Sequence, residues 1–289
     1  MSAHLEVLVT GATGRQGGAV ARALLARGHR VRALTRSITA PAAVRLRHLG
    51  ATLVRGSLTD PASLERAMAG VRAVFAMTTP LARGSDTEVQ QGLALADSAV
   101  VARVPHFVYS SIASAFEAPH LPQFDGKARV EQYLRRQDLP FTIIAPVLFM
   151  ENLLSPWVVE GLSEDVLWTD VPPQRRVQQL AVADLGHFVA RVLEQRSQFL
   201  GRRVEIASDE LSAADQAEIL SRLTHRIIRC AEVPIEALRE ESGERAETAR
   251  WLDRVGFRVD LHALHAELPS FGWHPFEAWA RRQPEISSR

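Results

Sequence analysis

The run Glu6-Val7-Leu8-Val9-Thr10-Gly11-Ala12-Thr13-Gly14-Arg15-Gln16-Gly17-Gly18 joins a short apolar strand to a helix, Ala19 to about Arg27, through glycines spaced G-x-x-G-x-x-G. Each glycine answers a separate requirement. Gly11 lets the chain reverse after the strand through a conformation closed to residues with a Cβ. Gly14 leaves the main chain bare where a phosphate must approach, and Gly17 lets the helix pack close to the strand. The free N–H groups and the dipole at the helix start then attract an anion. The spacing differs from G-x-G-x-x-G, and a bare glycine triplet also fits a tight turn opening some other α/β domain. The context argues for a dinucleotide: a strand before, an amphipathic helix after, and a second strand, Arg30 to Leu34, following Gly28-His29.

The first half continues to alternate. A helix is expected over Pro41 to Leu49, a strand over Thr52 to Arg55, and a helix begun by Asp60 and Pro61 that runs to Ala69. Strands follow at Ala73 to Met77, Phe107 to Ser110 and Phe141 to Ile144, separated by helices at Thr87 to Arg103 and Gly126 to Gln137. Such alternation predicts an α/β fold, a doubly wound parallel sheet of Rossmann type with helices on both faces. The second half is more mixed. Residues 151–179 read as loops, with Pro156, Pro172 and Pro173. Helices are expected from about Val182, from Ser212 and from Ile235 with a break near Gly243, strands at Arg203 to Ala207 and Arg226 to Val233, and a closing helix at Phe276 to Arg282. We therefore expect a dinucleotide-binding domain over 1–152, with 180–200 packing back on it. Residues 153–289 should form a smaller mixed C-terminal lobe for a substrate or partner, over the strand ends where open α/β sheets bind ligands.

The formal net charge is +1, and the arginines are dispersed among 33 acids, so nothing marks a nucleic-acid or anionic-membrane binder. The longest apolar run, near Phe141 to Met150, is far too short to span a bilayer. A strand beginning by about Leu5 leaves no room for a targeting peptide, and the lone Cys230 fits a reducing compartment; a cytoplasmic protein is the expectation. His262 and His265 share a face if their segment is helical, but lack a third convergent ligand, so no metal is expected.

Lys and Arg total 34, yet Lys127 is the only lysine. A coding bias toward arginine explains the composition but not where the exception stands. Arginine is bulky and cannot give up its proton, whereas lysine is a compact donor with a tunable pKa. Lys127 is therefore a candidate for a position that arginine would not serve.

At the end of the second strand, NAD-binding versions of this fold carry an acid for the ribose 2′-hydroxyl. Here the segment reads Arg30-Val31-Arg32-Ala33-Leu34-Thr35-Arg36-Ser37, with no acid. Arg36 stands where a 2′-phosphate would arrive, Thr35 and Ser37 add hydroxyls, and Arg15 can close the other side of a clamp. NADP(H) is favoured over NAD(H).

These segments, taken with Phe124-Asp125-Gly126-Lys127, Val130-Glu131-Gln132-Tyr133, Pro146 to Leu154, Val182-Ala183-Asp184-Leu185-Gly186 and Phe276-Glu277-Ala278-Trp279, resemble the NmrA-like family, a branch of the atypical short-chain dehydrogenases. The resemblance covers nearly the whole chain. It implies that Gly11, Thr13, Gly14, Arg15, Gln16 and Gly17 hold the pyrophosphate and adenosine ribose, that Arg36 takes the 2′-phosphate, and that Ser57 and Leu58 contact adenine. Many relatives carry an acid at the Ser57 position. Thr78 and Thr79 would line the cofactor, Lys127 would hydrogen-bond the nicotinamide ribose, and Val147, Phe149 and Asn152 would border the nicotinamide and substrate.

Ordinary short-chain dehydrogenases use Tyr-x-x-x-Lys, but one helical turn before Lys127 stands Gln123. Tyr133 lies at another angle of the helix and is expected in the core, as is Tyr109. Ser110, Ser111 and Ser114 are near the family's serine position, yet strand-end serines commonly cap turns. Two readings follow. One is a reductase of a small quinone or an activated carbonyl or enone, working through Lys127 without the tyrosine. The other is a non-catalytic NADP(H) redox sensor that changes its contacts with a regulatory protein partner or within a homodimer.

Overall fold

The computed structural model describes residues 4–78, 85–118 and 121–287. The first half forms β1 (Glu6–Val9), α1 (Arg15–Ala26), β2 (Arg30–Thr35), α2 (Pro41–His48), β3 (Thr52–Arg55), α3 (Pro61–Met68), β4 (Ala73–Ala76), α4 (Ser85–Val101), β5 (Phe107–Ser110), α5 (Pro122–Leu134) and β6 (Phe141–Pro146). The second half adds β7 (Leu148–Phe149), a 3-10 turn (Met150–Leu154), α6 (Pro156–Ser163), β8 (Val166–Thr169), β9 (Arg176–Leu180), α7 (Val182–Glu194), α8 (Arg196–Phe199), β10 (Arg203–Ile206) and β11 (Asp209–Ser212). It closes with α9 (Ala213–Thr224), β12 (Arg229–Glu232), α10 (Ile235–Glu241), α11 (Gly243–Arg254), α12 (Leu261–Glu267), α13 (Phe276–Ala280) and α14 (Pro284–Ser287).

The chain divides into two units, Met1–Ala145 with Leu185–Glu205, and Pro146–Asp184 with Ile206–Arg289. In the first, the sheet order is β10-β6-β5-β4-β1-β2-β3. The pairs β3/β2, β2/β1, β1/β4, β4/β5 and β5/β6 are all parallel. This is the Rossmann order, which reverses direction between β1 and β4. Strands buried on both faces must be apolar throughout, and β4 (AVFA) and β5 (FVYS) are buried at every position. Leu8, Leu64, Met68, Leu95, Phe107, Tyr109, Val130 and Ile143 form one contiguous core. Asp60 caps α3 by accepting from Ser63 N, with Pro61 at the first turn, as its sequence predicts.

The expected loops of 151–179 are instead largely regular, and the reason lies in β9. Its buried positions include Gln178 and Gln179, which mask the apolar alternation of a strand. Gln178 is buried because its amide donates to Val259 O and accepts from Val259 N, each at 2.8 Å. In the second unit β11 pairs antiparallel and β7 parallel with β9, and β8 pairs parallel with β12. Met150, Leu162, Leu167, Leu220, Phe276 and Trp279 lie in its core. The break at Gly243 separates α10 from α11, as expected. Among the described residues no helix is long and apolar enough to cross a membrane.

Candidate functional site

The carboxyl ends of β1, β4 and β5 and the start of α1 are tied together by short polar contacts. Thr10, fully buried, donates from Oγ1 to Met77 O (2.9 Å) and accepts from Met77 N (2.8 Å). That double bond locks the exit of β1 to the exit of β4. Gly11 then turns with φ +60°, and a Cβ there would lie 2.4 Å from Met77 Sδ. A Cβ on Gly17 would meet Gly11 O at 2.4 Å and Thr10 O at 2.5 Å, both rigid backbone. The fold therefore requires those two glycines. Gly14 is under less constraint: its φ of −96° suits any residue, and a Cβ there would make one tight contact, 3.3 Å from Gly11 O. Gly14 caps α1 without a side chain, no acid stands in the first turn, and Thr13, Gly14 and Arg15 are exposed. An open helix start bare of both cap and carboxylate suits a bound anion, and the missing Cβ of Gly14 leaves room for one.

Gln16 is half-buried, and its Oε1 accepts from Ser110 Oγ at the end of β5 (2.9 Å). Arg36 is exposed beyond β2. Beneath it Thr35 Oγ1 donates to Ser37 O and accepts from Ser37 N, a local turn that holds the segment off the strand. Neither Arg15 nor Arg36 is ion-paired with a described residue. At the next strand end, Ser57 N donates to Ser63 Oγ, Ser57 Oγ pairs with Thr59 Oγ1, and the Leu58 side chain packs against the core.

Lys127 lies on α5, four residues and one turn after Gln123. Its Nζ is 2.8 Å from Glu88 Oε1, 2.8 Å from Thr78 Oγ1 and 3.2 Å from Ser110 O. It also sits 5.3 Å from the ring centroid of Tyr109. The side chains are 15% exposed for Lys127 and 6% for Glu88. Burial alone would lower the lysine pKa, but the Glu88 carboxylate in contact with it helps hold the ammonium above its usual range. Burial likewise raises the Tyr109 phenol, so it stays protonated.

The sequence reading missed Glu88, which α4 brings from far along the chain. A glycine makes the approach possible. A Cβ on Gly92, one turn after Glu88, would lie 2.5 Å from Val130 Cγ2, one turn after Lys127. A carboxylate at Glu88 followed at helical spacing by Gly92, Leu95, Ala96 and Ala99 was the available signal.

The other candidates divide cleanly. Thr78, Ser110 and Lys127 converge. Ser111 Oγ donates to buried Glu131 (2.5 Å), and Ser114 N donates to Glu205, so both serve the fold. Tyr109 is buried; Tyr133 packs its ring on the core and donates its hydroxyl to Asp97. Thr79 lies outside the described residues. Val147, Phe149 and Asn152 belong to the second unit, on β7 and its flanks.

The NmrA-like family model matches residues 4–258. A (4-alkanoyl-5-oxo-2,5-dihydrofuran-3-yl)methyl phosphate reductase of Streptomyces griseus is 34% identical, over 96% of this chain and 98% of its own length. Among solved structures, the fold is similar to Citrobacter sp. triphenylmethane reductase complexed with NADP(H), with TM-score 0.80 and 19% identity over 94% of this chain and 98% of that one. It is also similar to NmrA, a negative transcriptional regulator, in complex with NADP, with TM-score 0.74 and 21% identity over 96% of this chain and 95% of that one.

Proposed function

The chain belongs to the NmrA-like family, and on that premise we propose that it is an NADP(H)-dependent reductase of a small activated acceptor, an enone foremost, with quinones and carbonyls of like electrophilicity beside it. The observation that carries the reading is the glycine turn, which opens α1 at an exposed start with no side-chain cap, no acid in the first turn and Gly14 bare of a side chain. The 34% identical reductase, named for an alkanoyl-oxo-dihydrofuran substrate, supports the acceptor class.

In this reading Gly11, Thr13, Gly14, Arg15, Gln16 and Gly17, with the open start of α1, hold the pyrophosphate. Arg36, with Arg15, takes the 2′-phosphate by charge-assisted hydrogen bonds. Ser57 and Leu58 border the adenine, and Thr78 lines the cofactor. Lys127 meets the nicotinamide ribose, and Val147, Phe149 and Asn152 border the nicotinamide and substrate. When bound, the cofactor would supply hydride to the electrophilic carbon of the acceptor and be left as NADP+, and the reduced acceptor would take its proton from water. Lys127 orients that chemistry from a site with no Tyr-x-x-x-Lys phenol. The test is NADPH oxidation followed against a panel of enones, quinones and aldehydes. Turnover with at least one enone is expected, and NADPH bound but unconsumed with every acceptor would overturn the enzymatic reading.

Gln123 in place of the tyrosine, together with the likeness to the NmrA regulator, favours a second reading, a redox sensor acting on a protein partner. A sensor must bind oxidised and reduced cofactor with different affinities, since a ligand shifts an equilibrium only through differential binding. Equal affinities for NADP and NADPH would remove it.

A further inference from the structure

An ammonium has three N–H bonds, and Lys127 has three acceptors: Glu88 Oε1, Thr78 Oγ1 and Ser110 O. The Thr78 hydroxyl donates its own proton to Glu88 Oε1 at 2.6 Å, which leaves its lone pairs to accept from Lys127. Carboxylate, hydroxyl and ammonium close a ring. We infer that Glu88 is the positioning residue of this site: it holds Lys127 as a fixed, permanent cation that orients the bound cofactor and acceptor and does not itself release the reducing proton. The inference rests on the cofactor role proposed above for Lys127.

The other groups facing Lys127 cannot take over the task. From β5 comes Tyr109, kept neutral by burial. From its own helix comes Glu131, whose carboxylate is already paired with Arg203 Nε at 2.8 Å and bonded to Ser111. The other acid of the first turns of α4, Asp86, is exposed and paired with Arg129. Glu88 is thus the one uncommitted negative charge in contact with the ammonium among the described residues. Without it, a lysine this buried would favour its neutral form. The longest of the three bonds, to Ser110 O, is the one a ligand hydroxyl can replace while Glu88 and Thr78 keep their hold.

Because Lys127 is the only lysine, 13C-labelled lysine gives a single side-chain resonance in the untagged chain, and its titration can be read directly. In the wild type the midpoint should lie above the ordinary value of about 10.4. In Glu88→Gln it should fall by about two units or more. NADPH affinity of the variant should then drop about tenfold per pH unit above that new midpoint, while that of the wild type stays level to about pH 9.5. Thr78→Val keeps the ion pair and should move the midpoint by less than about one unit. Should Glu88→Gln not fold, Glu88→Asp withdraws the carboxylate by one methylene and should also lower the midpoint. A wild-type midpoint below the ordinary value, or one unmoved in the Glu88 variants, overturns the inference. Lys127→Met separates the two claims. If it binds NADPH as the wild type does, the cofactor role fails, whatever the titration shows for Glu88.

Discussion

Glu88 in the first unit and Asp184 in the second are both buried carboxylates, but they face different things. Glu88 holds an ammonium that still reaches the surface at the carboxyl ends of β4 and β5. Asp184 accepts from Ser208 Oγ (2.5 Å), from His274 N (2.9 Å) and from His274 Nδ1 (2.5 Å). Arg282 donates to His274 Nε2, which leaves Nδ1 as the ring nitrogen that donates to Asp184. Around Asp184 the pattern repeats. Glu151 accepts from Val182 N and Trp279 Nε1, and Gln178 bonds both backbone groups of Val259. The second unit uses buried polar groups to pin its own distant backbone and rings. The first gathers Thr10, Thr78, Glu88, Ser110 and Lys127 at the carboxyl ends of its strands. Substitutions in this buried polar network around Asp184 should therefore act on stability, and those at the strand ends of the first unit on ligand affinity.

Asp184→Ala gives the largest effect. It strands the Ser208 hydroxyl and two N–H groups of His274 without their acceptor, which should cost about 3–5 kcal/mol in chemical denaturation, while NADPH affinity in the folded protein changes by less than about twofold. A comparable loss of affinity would break the contrast.

His106 tests it from the other side, because it lies in the first unit but at the entry end of β5. Its Nε2–H donates to Thr142 Oγ1, which donates onward to Phe199 O, and Nδ1 is buried with no hydrogen-bond partner, so a proton there would find no acceptor. Burial, helped by Arg196, lowers its pKa from 6.5 to about 4. The unfolded chain therefore binds the proton first. Stability should be full above pH 6.5 and fall as pH drops through about 4, by about 3 kcal/mol. Denaturation at pH 7, 5 and 4 should show this limb in the wild type and not in His106→Gln, and an acid limb equal in both would remove His106 as its source.

Gly17→Ala should cost about 2 kcal/mol from overpacking against rigid carbonyls and abolish NADPH binding. Retained binding would show that the turn is only architecture. Arg36→Ala should leave stability unchanged and reduce NADPH affinity about tenfold, roughly 1.4 kcal/mol, with NADH affinity unaffected. A preserved preference in paired titrations would remove Arg36 from the 2′-phosphate site.

What the sequence made legible was local. The glycine turn is readable because strand, glycines and helix adjoin, and Lys127 because it is the exception among the arginines. Glu88 was passed over, since it reaches Lys127 through the packing of α4 on α5, where Gly92 meets Val130 and Asp97 accepts from Tyr133. The same holds for Gln16 and Ser110, joined through the parallel order of β1, β4 and β5. In the second unit the pattern itself misled. Gln178 is buried as a hydrogen-bonding group, so polarity there marks a strand interior and not a loop. The V-A-D-L-G segment resolves residue by residue. Asp184 anchors Ser208 and His274, and Gly186 lets α7 close on α1, where a Cβ would lie 2.6 Å from Ala19 O.

The central claim is that the glycine turn and Arg36 bind a phosphorylated dinucleotide. Calorimetric titration of the wild-type chain with NADPH and NADH tests it most directly. The account predicts saturable one-site binding of NADPH, about tenfold or more tighter than NADH. Equal affinities, or no binding of either, would contradict it.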